Sequence, residues 1–227
     1  MFKTEPHLHV KEVSRCSRLT AAEMMSLYKN AGYTTVFVSD HLTSATVEAH
    51  FSGLSWREKV DGFFRGYEAA RAVGEEIGIR VLPSAELTYN HSSNHYLLYG
   101  FDKEFFYAIP ELFDMPKSEF YSYAHTHGVT VVQAHPYRDA KTVPDSPDII
   151  DAIEVYNENP RHENYSEDAL TYALENGLPI TGGSDAHRTE DVGRGGVMTE
   201  VEITSTAEYV SLLTLGALVP ITASEVG

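Results

Sequence analysis

Short apolar and β-branched runs alternate along this chain with longer segments whose polar punctuation is helical. Residues 34–39, 79–82, 129–134 and 149–156 are such runs, bounded by turn residues or acids, and each predicts a buried strand. Between them, Thr20-Ala21-Ala22-Glu23 spells a capping box that opens a helix ended by Gly32, and another helix is predicted from about Trp56 to a stop at Gly78. Further helices are predicted over 118–127, closed by Gly128, and over 163–176, closed by Gly177. Strand and helix in repeated alternation predict a parallel sheet, and roughly six or seven such units fit a small or incomplete β/α barrel, an α/β fold whose chemistry sits at the C-terminal ends of its strands. The last residues, 223–227, are predicted to be a frayed tail.

The length of 227 residues fits one sizeable domain, 1–227, without a linker or second core. One cysteine, Cys16, excludes an intrachain disulfide framework. The opening Met1-Phe2-Lys3-Thr4-Glu5 lacks the charged-then-apolar pattern of a signal, and no run reaches about 18 apolar residues, so the expected location is the cytoplasm with no membrane partner. A formal net charge of −16 argues against a general nucleic-acid surface, which needs clustered Lys and Arg. Part of that charge sits on Glu86 and Asp185, where bound cations would neutralise it.

The candidate chemistry follows the strands. His7, His9, Asp40, His41, Glu86, His95, His135, Asp185 and His187 are metal-capable, and most of them come directly after an apolar run. Mixed imidazole and carboxylate donors gathered from distant segments suit Zn²⁺, Mn²⁺ or Fe²⁺ in a hydrolytic centre, whereas closed structural zinc sites lean on cysteine. Residues two apart on a strand share a face, so His7 and His9 can address one ion together.

The blocks His7-Leu8-His9, Ser39-Asp40-His41, Ser84-Ala85-Glu86, His95 to Gly100, Ala134-His135-Pro136, Ile153 to Asn157 and Gly183 to His187 resemble, in order, those of the PHP (polymerase and histidinol phosphatase) superfamily. The resemblance spans roughly residues 1 to 205. It implies a distorted (β/α)7 TIM-like barrel with two or three divalent metal ions at the strand C-termini, a single PHP-type catalytic domain, and hydrolysis of phosphate esters. By position, His7, His9, Glu86 and Asp185 would hold one metal, and Glu86 would bridge to a second held also by His95 and His135. His41 and His187 would bind a third together with a His or Asp shortly after the His-x-His block. There this chain departs, offering Ser14, Arg15 or Cys16.

Arg15 at that place would supply a fixed positive charge and grip a phosphate oxygen. Cys16 is read either as a buried thiol or as a soft ligand favouring zinc. The expected reaction is hydrolysis of a small phosphomonoester, such as a nucleotide or a sugar or amino-alcohol phosphate, by attack of a metal-bridging hydroxide. His41 or His187 would protonate the leaving group if the third ion is absent. Arg138, Arg161 and Arg188 follow strand-end blocks as candidate phosphate grips beside Arg15, and each also has a plain reading as a surface arginine. Asp40 reads as support for a ligand, and Glu154 and Asn157 as residues that orient ligands or substrate, or as structural. His125 and His127 read as helix C-terminal residues, His50, His91 and His162 as exposed loop residues, with His91 as a possible rim of the pocket. Tyr89, Tyr137 and Tyr156 read as core, with stacking on substrate as the alternative. The alternatives to a small-molecule phosphatase are a phosphotyrosine phosphatase or nuclease of the same family, and a non-catalytic metal-stabilised binding domain.

Overall fold

The computed structural model describes residues 1–223, so all but the first residue of the expected C-terminal tail lies outside the described residues. Strand β1 (Phe2–Leu8) leads into helix α1 (Ala21–Asn30), whose capping box is formed as expected: Glu23 N donates to Thr20 Oγ1 at 3.3 Å and Thr20 N to Glu23 Oε2 at 2.8 Å. Strands β2 (Thr35–Val38) and β3 (His41–Leu42) follow, then α2 (Ser44–Phe51). The helix expected from Trp56 to Gly78 is two helices, α3 (Trp56–Phe63) and α4 (Arg65–Ile77), with Gly78 closing α4 in the left-handed conformation at φ 76°. The remaining elements are β4 (Arg80–Pro83), β5 (Ala85–Thr88), β6 (His95–Tyr99), α5 (Lys103–Tyr107), α6 (Lys117–Thr126), β7 (Thr130–Ala134), β8 (Ala152–Asn157), α7 (Ser166–Asn176), β9 (Ile180–Gly183), β10 (Gly196–Thr199), α8 (Thr206–Thr214) and β11 (Val219–Ile221).

The fold is mixed α/β, and no closed sheet is formed among the described residues. One sheet runs β11-β10-β1-β2-β4 and the other β3-β5-β6-β7-β8-β9. The chain crosses from the first to the second twice, at the break between β2 and β3 and at the one between β4 and β5. An all-parallel arrangement was the expectation, but β6 is antiparallel to both β5 and β7, and β10 is antiparallel to β1 and β11. For β5 and β6 the reason is the connection: residues 89–94 are too few for a crossover and suffice only for a hairpin. This reversal explains His95, which begins its strand. Its register partners Thr88 and Ala134 end theirs, so His95 sits at the same edge as Glu86 and His135.

Apolar packing fixes that edge in place. Phe37 on β2, Tyr99 on β6 and Tyr209 on α8 meet with ring centroids 4.8–5.2 Å apart. All three are fully buried, tying the five-stranded sheet to the six-stranded one through a helix that covers both. No helix among the described residues is long and apolar enough to cross a membrane.

Candidate metal centre

The eight expected ligands converge. His7 and His9 come from β1 and the residue just past it, His41 from β3, Glu86 from β5, His95 from β6, and His135, Asp185 and His187 from the ends following β7 and β9. Three groups have ligand atoms mutually within 4.8 Å: His7, Glu86 and His135; His7, His9 and Asp185; and His9, His41 and His187. His7 and His9 therefore belong to two groups each. Glu86 Oε1 lies 2.9 Å from both His95 Nδ1 and His135 Nε2 and 3.5 Å from His7 Nε2, while Glu86 Oε2 lies 2.5 Å from His41 Nδ1. Glu86 thus stands among the imidazoles, one oxygen toward His95, His135 and His7 and the other toward His41.

Hydrogen bonds outside this group decide which ring nitrogens face inward. His7 Nδ1 donates to Glu154 Oε1 at 2.9 Å, leaving the lone pair of Nε2 to point at His9 Nε2, 3.1 Å away. Ser14 Oγ donates to Asp40 Oδ1 at 2.6 Å, so its oxygen is free to accept from His41 N at 3.0 Å and from His9 Nδ1 at 3.4 Å. Both histidines thus turn their Nε2 atoms toward one point beside Asp185 Oδ1, which is 3.1 Å from His9 Nε2 and 3.4 Å from His7 Nε2. Two facing lone pairs and a carboxylate repel unless a positive charge lies among them, so this donor set fits a divalent cation.

The electrostatics agree. Burial alone would raise the carboxyl of Glu86, but His95 and His41 hold it well below the usual range. Burial would likewise raise Asp185, and the Arg138 guanidinium and His7 hold it well below. Burial lowers His9 well below an ordinary imidazole, helped by the charges of His41 and His187, and lowers His135 to about 4. Burial would also lower His7, yet Glu154 and Asp185 raise it well above the usual value. Anionic neighbours thus draw a proton onto His7 where a metal ion would otherwise satisfy them.

Two of these ligands sit on left-handed backbone, His135 at φ 29° and Asp185 at φ 47°. Non-glycine residues adopt that conformation at a cost of about 1 kcal/mol or more, and such strain clusters at functional sites. Surrounding contacts hold both in place: Glu154 Oε2 accepts from His135 N at 3.0 Å, and Asn159 Nδ2 donates to Asp185 O at 3.0 Å. Asn157 Nδ2 donates in turn to Glu154 Oε2 at 2.9 Å, so the Glu154 carboxylate is fixed against the His7 ring and the backbone of His135.

A cavity of about 360 Å³ opens onto the centre, lined among others by Cys16, His41, His95, His135, Asp185 and His187. The four arginines separate here. Arg15 is exposed and does not line the cavity, because in this turn Val13 and Ser14 point inward and Arg15 outward; its expected place as a phosphate grip is not where the structure puts it. Arg138 lines the cavity but uses Nη2 on Asp185 Oδ2 and Asn157 Oδ1, each at 2.7 Å. Arg161 also reaches the cavity, with both terminal nitrogens on Asp191, whose Oδ2 accepts in addition from His187 N and Arg188 N at 2.8 Å. Arg188 lines the cavity with only Glu190, 3.7 Å away, as a charged neighbour.

Cys16 is exposed at the cavity edge rather than buried. Packing around the sulfur would raise its thiol, but hydrogen bonds to His187 and His41 bring it down to about 6. Asp40 is buried and supports Ser14 without facing the ions, matching its reading as support. His125 lies in the last turn of α6 against Asp151, and neither it nor His127 lines the cavity. His50 lies in α2 and is half-buried rather than exposed in a loop. At the rim, Ser93 and His162 line the cavity and His91 does not. Tyr89, Tyr137 and Tyr156 pack in apolar clusters away from it. Sequence reasoning missed Ser14 as the link to His9 and His41, and Glu5 altogether.

A PHP-associated family model matches residues 164–218. Among solved structures, a two-domain protein from Bacteroides vulgatus containing a predicted PHP-like metal-dependent phosphoesterase is similar at a TM-score of 0.70 and 16% identity, over 97% of this chain and 64% of that one. The chain therefore spans under two thirds of that protein. A candidate metal-dependent phosphoesterase from Bifidobacterium adolescentis matches at a TM-score of 0.60 and 18% identity, over 95% of this chain and 96% of that one. Endonuclease Q, in complex with a 27-mer duplex bearing an abasic lesion, matches at 0.60 and 15% identity, over 93% of this chain and 56% of its own. At these identities the likeness is one of fold, and no curated protein matches the chain. Residues 164–218 match the PHP-associated model, nearly the whole chain shares the fold of these PHP-like phosphoesterases, and the blocks that resemble those of the PHP superfamily lie around one point.

Proposed function

We propose that this protein is a metal-dependent phosphoesterase that hydrolyses a small phosphomonoester, such as a nucleotide or a sugar or amino-alcohol phosphate, with two or three Zn²⁺, Mn²⁺ or Fe²⁺ ions. The observation that carries the reading is the set of three overlapping ligand groups opening into a cavity of about 360 Å³. Strand β1, the broken strands β2–β3 and β4–β5, and β6 to β9 are read as a distorted seven-stranded barrel opened at its seams. Divalent ions in this set would polarise the ester and lower the pKa of water in the cavity. His41 Nε2 and His187 Nε2 are 3.4 Å apart, so the pair holds one shared proton for the leaving-group oxygen when no ion lies between them, and both become ligands when one does. The phosphate grip is assigned to Arg188, whose donors are the least committed of the cavity arginines, while Arg138 and Arg161 are held on Asp185 and Asp191. Arg188→Ala is expected to raise KM for a phosphomonoester about tenfold with kcat little changed, the loss of one charge-assisted contact. An unchanged KM in steady-state kinetics would remove Arg188 from that role.

Elemental analysis of the purified protein, paired with hydrolysis of a substrate panel under added Mn²⁺ or Zn²⁺, tests the reading. The panel holds phosphomonoesters, a phosphotyrosyl peptide and a duplex with an abasic lesion. Two or three ions with turnover of a small ester is the expected result. Turnover of only the peptide or the duplex would replace the substrate class, and bound ions without turnover of any ester would favour a binding domain. The duplex belongs in the panel because Endonuclease Q shares the fold, although a net charge of −16 disfavours a phosphate backbone.

A further inference from the structure

Glu5 lies two residues before His7 on β1 and is fully buried, yet it belongs to none of the ligand groups. Its carboxylate accepts from His7 N at 2.9 Å and Ser184 N at 3.0 Å on Oε1, and from Ser184 Oγ at 2.5 Å and Tyr28 OH at 3.0 Å on Oε2. A buried carboxylate is costly unless its oxygens are hydrogen-bonded, and here both are doubly bonded. Two of the donors flank the metal centre, since His7 is a ligand and Ser184 immediately precedes Asp185.

The location gives these bonds their meaning. β1 belongs to the five-stranded sheet and β9 to the six-stranded one, and no ladder joins them. A single parallel bridge pairs Leu8 with Ala186, supported by His9 N donating to Ala186 O at 3.0 Å. Each ligand group draws His7, His9 or both from the first side of this seam and its remaining members from the second. The spacing of His7 and His9 from Asp185 is therefore a distance across a seam where ordinary strand pairing does not set it. Gly183 permits the close approach, because a Cβ there would stand 2.7 Å from His7 Cβ and 3.2 Å from Glu5 Oε1.

We propose that Glu5 is a positioning residue: its carboxylate clamps the backbone of His7 to that of Ser184 and so sets the span over which His7, His9 and Asp185 hold a divalent cation. This deepens the metal-centre reading and rests on it. Full-length protein stripped of metal is titrated with Zn²⁺ in competition with a chromophoric chelator, and Tm is recorded on the metal-free samples. Glu5→Gln keeps the size but replaces one of the two acceptor oxygens with an NH2 donor that faces donors, and is expected to weaken Zn²⁺ binding about tenfold or more, as is usual for groups that orient ligands. The comparator is Thr181→Val, which removes the buried Thr181–Tyr209 hydrogen bond of 2.9 Å on β9, a bond that includes none of the donors to Glu5. It is expected to lower Tm while binding Zn²⁺ as the wild type does. Wild-type affinity in a folded Glu5→Gln, or losses in both variants that simply follow Tm, would overturn the proposal. Should Glu5→Gln not fold, Tyr28→Phe removes one donor from the clamp and is expected to weaken binding in the same direction, and wild-type affinity there would overturn it. A wild-type protein that binds no Zn²⁺ would instead remove the metal centre itself.

Discussion

Glu86→Ala is expected to lose at least about a thousandfold in phosphoester hydrolysis and to purify with at least one ion fewer. The magnitude corresponds to several kcal/mol of charge stabilisation by an ion that the variant no longer holds. No other side chain in the centre is so placed: one oxygen faces His95, His135 and His7, and the other faces His41 at 2.5 Å and His9 at 3.7 Å. Without the carboxylate, these imidazoles would surround a hole with no negative charge to balance a cation. Elemental counting beside steady-state rates checks both parts of the expectation. His125→Ala, at the end of α6 where the ring contacts Asp151, serves as the control and should change neither. A metal site emptied by that substitution would show the ligand assignment to be wrong.

Asp40→Asn is expected to flatten the pH dependence of stability in the metal-free protein. Burial raises the Asp40 carboxyl from 3.8 to about 7, against the opposing hydrogen bonds from Ser14 and Val10. The folded state thus keeps a proton that the unfolded chain has already released. A carboxyl raised in this sense contributes stability fully present below about pH 4 and lost as pH climbs toward 7, a change on the order of 3–4 kcal/mol. Asparagine does not titrate, so the stability of Asp40→Asn relative to the wild type should rise across that window. Denaturant melts at pH 4, 5.5 and 7 on chelated samples measure it. Parallel curves for the two proteins would mean that Asp40 is already ionised in the fold.

The convergence of the candidate ligands was legible because their identity is their chemistry. An imidazole or carboxylate directly after an apolar run has few structural reasons to be there, and residue spacing alone placed His7 and His9 on one face. His95 fitted the strand-end rule only once β6 proved antiparallel, and that reversal hangs on the length of the turn at 89–94, where the sequence reading supplied no strand. The arginines were not legible. Arg138, Arg161 and Arg188 look alike in sequence, and what separates them is whether a buried carboxylate of another loop takes up their donors. Arg15 and Cys16 differ only by which way a short turn faces them. Glu5 was invisible for a related reason: an acid near a chain end, next to a proline, reads as solvated, and only its enclosure by Ser184 and Tyr28 reveals otherwise. How far the small or incomplete barrel closes was not legible, because periodicity specifies strands and helices but not the register by which the last strand meets the first.

The seam between the two sheets also bears on how the protein unfolds. Because each ligand group joins His7 or His9 to residues of the six-stranded sheet, any ion bound there couples two bodies that share little backbone pairing at that edge. The free energy of ion binding is then also a free energy of cooperativity between the sheets. With ions present, the molecule should melt as one unit. Stripped of them, the two sheets are free to lose structure at different temperatures, and a single sharp transition would broaden or divide.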